Sequence, residues 1–173
     1  KYYSDGNVYH YIEKECLIED LPHAVITEPS ERQIKVMLIS DLHIGNVHEN
    51  LYYLNMIYEY CVANGIHIIL NAGDLVDGQL KGNGKKIIKG YEKQINRVIH
   101  LHPKDKSIIS FNILGNHDLD SLKSIGLDIG ETLRNSREDI VPIGTGYGFM
   151  HIKNEQILLK HKIKDLVIPK HSS

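Results

Sequence analysis

The chain has 173 residues, of which 42% are hydrophobic and 24% are charged. These proportions are typical of one globular domain and exclude a disordered or membrane-embedded chain. With 20 basic and 22 acidic residues the net charge is -2, so the overall charge does not favour binding to nucleic acid, although a local basic patch stays compatible with it.

The two cysteines, Cys16 and Cys61, are too few for a disulfide framework. Both lie among apolar or tyrosine neighbours, so we expect buried, reduced thiols in a cytoplasmic protein. We expect neither a signal peptide nor a membrane-spanning segment, because the chain contains no apolar run of sufficient length.

Residues 1–33 differ in pattern from the rest of the chain. Residues 4–7 are a turn signal, and alternation over residues 8–12 favours a strand. We interpret 1–33 as an N-terminal extension that packs on the core as a hairpin or edge strand, or as the end of an upstream domain. Residues 34–173 form the main domain in either interpretation.

The segment 34–40 is a short apolar run typical of a buried strand, and Asp41 and His43 follow it. Strand alternation would place both side chains on one side of the backbone, where two ligands of one metal ion must be. An acidic residue and a histidine after one strand are common in loops, so this segment alone is weak evidence for a metal site.

The same pattern occurs twice more along the chain. Apolar runs at 67–72 and 107–114 lead into Gly73-Asp74-Leu75-Val76-Asp77 and Gly115-Asn116-His117-Asp118. In an open α/β sheet, ligands bind beyond the carboxyl ends of the strands, so we expect the three strand ends to face one cleft.

Between these segments the apolar residues follow helical spacing. Residues 51–62 predict a helix that stops at Asn64-Gly65, giving a strand–helix–strand unit. A second helix is predicted from an apolar face that begins at Ile88. Residues 81–89 before it are rich in glycine and lysine, and are either a solvated loop or a rim that steers phosphate to the cleft.

After the third segment, Asp120 is expected to open a loop, with a short helix near residues 127–135. Short strands are predicted at 140–144, 148–152 and 156–161, with a tight hairpin at Asn154-Glu155. These connections are typical of antiparallel strands. We therefore predict an α/β fold built as a two-sheet β-sandwich flanked by helices.

The three motifs, in this order and at these spacings, resemble the first three motifs of the calcineurin-like metallophosphoesterase superfamily, over about residues 34–161. The resemblance implies a phosphoesterase that hydrolyses a phosphate monoester or diester by attack of a metal-bridging hydroxide. It also implies two divalent metal ions, with Mn expected and Fe, Zn or Mg as alternatives. Oxygen and imidazole ligands without thiolate agree with these metals.

The resemblance also implies the ligands. Asp41 and His43 would hold the first ion, Asp74 would bridge both ions, and Asn116 with His161 would hold the second.

Three further residues of these motifs have other expected roles. His117 would stabilise the developing charge or protonate the leaving oxygen. Asp118 would either orient His117 as part of the catalytic pair or cap a loop. We expect Asp77 to stabilise a turn or to support the metal ligands from behind, and not to bind metal itself.

The fifth motif of the superfamily, Gly-His-x-His, is absent. Residues 165–173 have its apolar lead-in, but Lys170 and Ser173 stand where its glycine and last histidine would be. We expect a domain that is C-terminally incomplete or has lost this motif, so this chain alone is expected to lack activity unless His171 or a partner supplies the ligand.

The substrate class stays open within phosphate esters, with nucleotides and nucleic acid as candidates. The motifs and the lysine-rich loop also resemble the phosphoesterase subunit of archaeal replicative polymerases, so a DNA exonuclease or a polymerase-associated phosphoesterase is one alternative. A non-catalytic scaffold of the same fold is the other.

Overall fold

A computed structural model describes the backbone of residues 23–26 and the whole of residues 34–79, 85–152 and 155–161. The strands and helices in chain order are β1 (His23–Ile26), β2 (Val36–Ile39), α1 (Leu51–Ala63), β3 (Ile68–Asn71), α2 (Tyr91–Leu101), β4 (Ile109–Leu114), α3 (Asn116–Ile125), α4 (Ile129–Ser136), β5 (Ile140–Thr145), β6 (Tyr147–Ile152) and β7 (Glu155–Lys160).

Strands β2, β3, β4 and β5 lie side by side and parallel, and form the first layer of the fold. Val36 pairs with Ile68, and Ile68 with Ile109, so the strands are in register. The carboxyl ends of β2, β3 and β4 therefore lie at the same edge. The prediction that the three motifs follow neighbouring parallel strands is confirmed.

The chain folds over at the end of β5. Thr145 of β5 and Tyr147 of β6 form the single antiparallel pair between these strands. Strand β6 then leaves the first layer, and pairs antiparallel with β7 and parallel with β1. The two layers are thus hydrogen-bonded to each other at this corner.

The interior of the sandwich is an apolar cluster with members from both layers. Phe111 and Ile113 from β4 pack with Met150 from β6 and Leu159 from β7. The layers approach closely at Gly148, where an added Cβ would lie 2.9 Å from Cγ2 of Ile113. The predicted two-sheet sandwich is confirmed.

The helices cover the outer face of the first layer. Helix α1 packs Leu54 and Cys61 against Ile69 of β3, so Cys61 is buried as predicted. Helices α2 and α4 pack Val98 and Leu133 in a second cluster that also contains the residues following β3. Among the described helices, none combines the length and apolar character needed to cross a membrane.

Two predicted boundaries are wrong. Residues 116–125 form helix α3, whereas Asp120 was predicted to open a loop. Gly115 begins this helix with its N–H donated to Oδ2 of Asp118, 2.9 Å away, and Gly126 ends it at φ 73°. The start signal lies inside the third motif, whose residues were interpreted only as candidate site residues. Helix α2 begins only at Tyr91, so Ile88 precedes it.

Several predictions lie outside the described residues. They concern Cys16, the turn at 4–7 and the strand at 8–12, Asn154 of the hairpin, residues 81–84 of the lysine-rich loop, and His171. The domain boundary at residue 34 also stays a prediction.

Candidate metal centre

The loops after β2 and β3 are hydrogen-bonded to each other. The N–H of Asp41 donates to the carbonyl of Gly73 at 2.9 Å, and the N–H of His43 donates to the carbonyl of Asp74 at 3.0 Å. These bonds continue the pairing of the two strands beyond their ends, so the two loops are tied to each other. Asp41, His43 and Asp74 are thereby fixed relative to each other.

Asp41, His43 and Asp74 have left-handed backbone conformations, with φ of 55°, 43° and 55°. They are the non-glycine residues with positive φ in the described ranges. Such conformations cost about 1–3 kcal/mol each and persist where the surrounding structure enforces them. Since β2 ends at Ile39, left-handed turns bring Asp41 and His43 together, and the argument from strand alternation is wrong.

The loop after β4 reaches the same place because residue 115 is glycine. A Cβ on Gly115 would lie 2.1 Å from Oδ1 of Asp74, which no side chain could accommodate. The same Oδ1 accepts a hydrogen bond from the N–H of His117 at 3.0 Å. The third motif is thus held against Asp74.

Three imidazoles converge on the other carboxylate oxygen of Asp74. Its Oδ2 lies 3.2 Å from Nε2 of His161, 3.8 Å from Nε2 of His43 and 3.8 Å from Nε2 of His117. The Asp74 side chain is only 4% exposed. Asp41 completes the group, with Oδ1 3.7 Å from Nε2 of His43, and its side chain is 54% exposed. The centre is therefore open to solvent on the Asp41 side.

Backbone carbonyls fix the proton positions on two of these rings. Nδ1 of His161 lies 2.8 Å from the carbonyl oxygen of Ala72, and Nδ1 of His117 lies 2.6 Å from that of Asp77. A carbonyl oxygen only accepts, so each Nδ1 must carry the proton. In the neutral rings, Nε2 then directs a lone pair toward Asp74.

This donor set fits a divalent cation. Nε2 of His161 lies 3.1 Å from Oδ1 of Asn116 and 3.2 Å from Oδ2 of Asp74, which is unfavourable unless a cation or proton lies between them. Asp41, His43 and Asp74 have ligand atoms within 4.8 Å of one another, as a metal site requires. All five predicted ligands, Asp41, His43, Asp74, Asn116 and His161, thus lie around one point.

A second group with metal-ligand spacing consists of His43, Asp77 and His117. Asp77 was predicted to stabilise a turn or to support the metal ligands, and it is only 1% exposed. Its Oδ1 accepts from Nδ2 of Asn46 at 3.0 Å, and its Oδ2 is bound by Nζ of Lys86. The Asp77 carboxylate is therefore already paired with the Lys86 ammonium.

Asp118 binds backbone N–H groups in the loops that follow β3 and β4. Its carboxylate accepts from the N–H groups of Gly115, Leu75 and Val76, at 2.9, 3.2 and 3.0 Å. Burial raises the pKa of Asp118 to about 6, the charge of Asp74 adds to the effect, and the three N–H groups oppose it. These contacts match the loop-cap alternative, since Nδ1 of His117 is bonded to the carbonyl of Asp77. A catalytic role of Asp118 stays a prediction.

Helix α2 supplies supporting residues that sequence reasoning missed. Gln94 is fully buried, and its Oε1 accepts from the N–H of Gly78 at 2.8 Å. Arg97 donates to Glu49 at 2.8 Å, and Glu49 accepts from the N–H of Gly45 at 2.7 Å. One sequence feature could have indicated the role of Gln94. It lies on the face of the helix that carries the apolar residues Tyr91, Ile95 and Val98.

Comparisons with known proteins give one match. A search of curated proteins and a search of solved structures both returned no match. The family model described as calcineurin-like phosphoesterase matches residues 34–171, which is most of the chain and includes every predicted ligand. The chain therefore belongs to the calcineurin-like phosphoesterase family.

Proposed function

We propose that the protein hydrolyses a phosphate monoester or diester at the centre around Asp74. The observation that supports this most is the convergence of three imidazole Nε2 atoms on Oδ2 of one buried carboxylate. In their neutral forms, the His117 and His161 rings would direct lone pairs at this carboxylate, a contact that a cation or a proton relieves, and a calcineurin-like phosphoesterase uses a metal ion there.

The five ligands divide into two sets that share Asp74. Asp41 and His43 would hold one ion, and Asn116 with His161 would hold the other, while Asp74 would contribute to both. Two divalent ions bound there, for which we propose Mn, would supply charge neutralisation on the phosphate and activation of water for attack on phosphorus.

His117 is placed to handle the proton of the leaving group. Its Nδ1–H is bonded to the carbonyl of Asp77, so the ring can gain and lose a proton only at Nε2, which faces the centre. The same bond stabilises the ring when both nitrogens are protonated. Nε2 of His117 is therefore the atom from which a proton would be delivered to the departing oxygen.

Substrate approaches from the Asp41 side. Asp41 is 54% exposed and His43 29%, whereas the side chains of Asp74, His117 and His161 are 11% exposed or less. An open side of this kind accepts the phosphate of a large molecule, so nucleotides and nucleic acid are included in the proposal.

Metal content together with hydrolysis tests this function. The purified protein is incubated with Mn²⁺, desalted and analysed for metal, and assayed with a chromogenic phosphodiester and a chromogenic phosphomonoester. We expect two ions per chain and hydrolysis of at least one ester. Absence of bound metal would contradict the proposal, and two ions without turnover of either ester would favour the scaffold alternative.

A further inference from the structure

His43 has one ring nitrogen at the metal centre and another that points away from it. Nδ1 of His43 is buried and has no hydrogen-bond partner among the described residues. The carboxylate of Asp77 faces it, with Oδ1 3.6 Å away. This distance is longer than a hydrogen bond, so the carboxylate faces the ring without a direct hydrogen bond to it.

Asp77 is itself held by two partners. Its carboxylate is bound by Asn46 through Oδ1 and by the ammonium of Lys86 through Oδ2. Lys86 is brought there by pairing of its backbone with that of Asn46, and by a 3.1 Å bond from the N–H of Val47 to the carbonyl of Lys85. The Lys86 side chain is 10% exposed, so the ion pair is largely shielded from water.

A metal ion is the less favourable occupant of this second group. Although His43, Asp77 and His117 have suitable spacing, the Lys86 ammonium already supplies the positive charge. A divalent cation at the same carboxylate would be repelled by it in a weakly screened environment. Asp77 is therefore available as a fixed hydrogen-bond acceptor for His43.

We propose that Asp77 and Lys86 are positioning residues of the metal centre. Asp77 accepts the Nδ1 proton of His43 when metal binds at Nε2, and Lys86 holds the Asp77 carboxylate in place. The inference rests on the proposed function only in taking His43 as a metal ligand. Carboxylates behind metal-bound histidines fix the tautomer and raise the basicity of the ring, and losing one costs about 10–100-fold in metal affinity.

Metal affinity is the first test, measured by isothermal titration with Mn²⁺. Asp77→Asn removes the charge in the same volume, and the double variant Asp77→Leu with Lys86→Met removes the whole pair without leaving a buried charge unpaired. We expect about 10–100-fold weaker binding in both. Asp105→Asn, the same change in an exposed loop far along the chain, is the matched control and should bind as the unmodified protein does.

A spectroscopic readout separates positioning from loss of structure. In ¹⁵N–¹H spectra of the Zn²⁺-loaded protein, His43 should show a slowly exchanging proton on Nδ1 that disappears in both variants. The Nδ1 protons of His117 and His161 are bonded to carbonyls and should remain, which reports that the fold is intact. Lys86→Arg keeps the cation and should retain both the His43 signal and the affinity.

The outcomes distinguish this inference from the proposed function. Unchanged affinity and an unchanged His43 signal in Asp77→Asn and in the double variant would overturn the inference while leaving the proposed function intact. A His43 ring protonated at Nε2 in the unmodified protein would also overturn it. Metal binding without ester hydrolysis would contradict the proposed function and leave this inference standing.

Discussion

At the scale of single residues, the centre depends on the different tasks of the two oxygens of Asp74. Oδ1 binds the backbone of the third motif, and Oδ2 faces the imidazoles. Gly115 makes this possible, since any side chain there would overlap the carboxylate. One buried carboxylate thus connects the ligands of all three loops.

Asp74→Asn tests that role. The amide keeps the volume but loses the charge, and it presents a donor or a weaker acceptor to three Nε2 atoms. Loss of a group that only orients a metal ligand costs up to about 100-fold in metal affinity. We expect Asp74→Asn to lower metal affinity by more than that, and to lower the rate of hydrolysis with it. Titration calorimetry and metal analysis measure this.

The matched control for this change is Asp128→Asn. Asp128 caps α4 by accepting from the N–H of Glu131 at 2.9 Å, and asparagine caps a helix equally well. An Asp74→Asn protein that still hydrolyses ester at the normal rate would show that Asp74 is not a metal ligand.

His117→Ala tests proton donation. We expect metal content to be retained, and turnover of esters with poorly stabilised leaving groups to fall by about 10²–10⁴-fold, because those departures depend most on a proton. Esters with acidic leaving groups should lose much less. Rates for a series of aryl phosphates measure the difference, with exposed His100→Ala as the control.

Equal losses over that whole series would contradict proton donation by His117. They would instead indicate that the ring has a structural role, through its bond to the Asp77 carbonyl.

At the scale of elements, helix α2 supports the loops that carry the candidate metal ligands. Gln94 bonds both the N–H and the carbonyl of Gly78, at 2.8 and 3.3 Å, and donates to the carbonyl of Ile88 at 2.9 Å. Gly45 packs so closely on this side chain that a Cβ would lie 2.7 Å from Cγ of Gln94. Through these contacts, helix α2 holds the loop of the second motif in place.

Gln94→Leu should therefore destabilise the protein. Leucine has a similar volume but leaves backbone groups of Gly78 and Ile88 without partners, and each buried unsatisfied group costs about 1–3 kcal/mol. We expect a loss of about 3 kcal/mol in the free energy of unfolding, measured by urea titration. Exposed Gln156→Leu should change it little, and a similar small change in Gln94→Leu would exclude the supporting role.

At the scale of the whole molecule, a buried polar network joins the end of α2 to the start of β5. The Arg137 guanidinium donates to the carbonyls of Ile99 and His102 and to both oxygens of Asp139. His102 is buried in this network against the ring of Tyr58. Burial lowers the pKa of His102 from 6.5 to about 4, with the Arg137 charge adding to the effect.

This pKa predicts a pH dependence of stability. Between pH 6.5 and about 4 the unfolded chain binds a proton at residue 102 that the folded protein does not, so the folded state loses stability as the pH falls through this range. The contribution is about 3 kcal/mol at most. Urea titrations at pH 7 and pH 4 measure it.

His102→Phe keeps the ring contact with Tyr58 but has no group to protonate, so its stability should fall less on acidification than that of the unmodified protein. The exposed His100→Phe should retain the full slope. Parallel pH profiles for His102→Phe and the unmodified protein would contradict the assigned pKa.

The sequence by itself determined the strands that precede the motifs, the helices α1, α2 and α4, and the candidate ligands. Apolar periodicity reports burial directly, and residues that must bind metal have few chemical alternatives. The sandwich was also predictable, because short strands joined by glycine-rich turns have few other arrangements.

Only the tertiary structure decided how the ligands meet. Asp41 and His43 come together through left-handed turns that hydrogen bonds to Gly73 and Asp74 enforce, and no local pattern encodes such bonds. The proton positions on His117 and His161 depend on carbonyls that other segments supply. Gln94 and Lys86 reach the centre through contacts between distant parts of the chain, whereas propensity and spacing describe only neighbours in sequence.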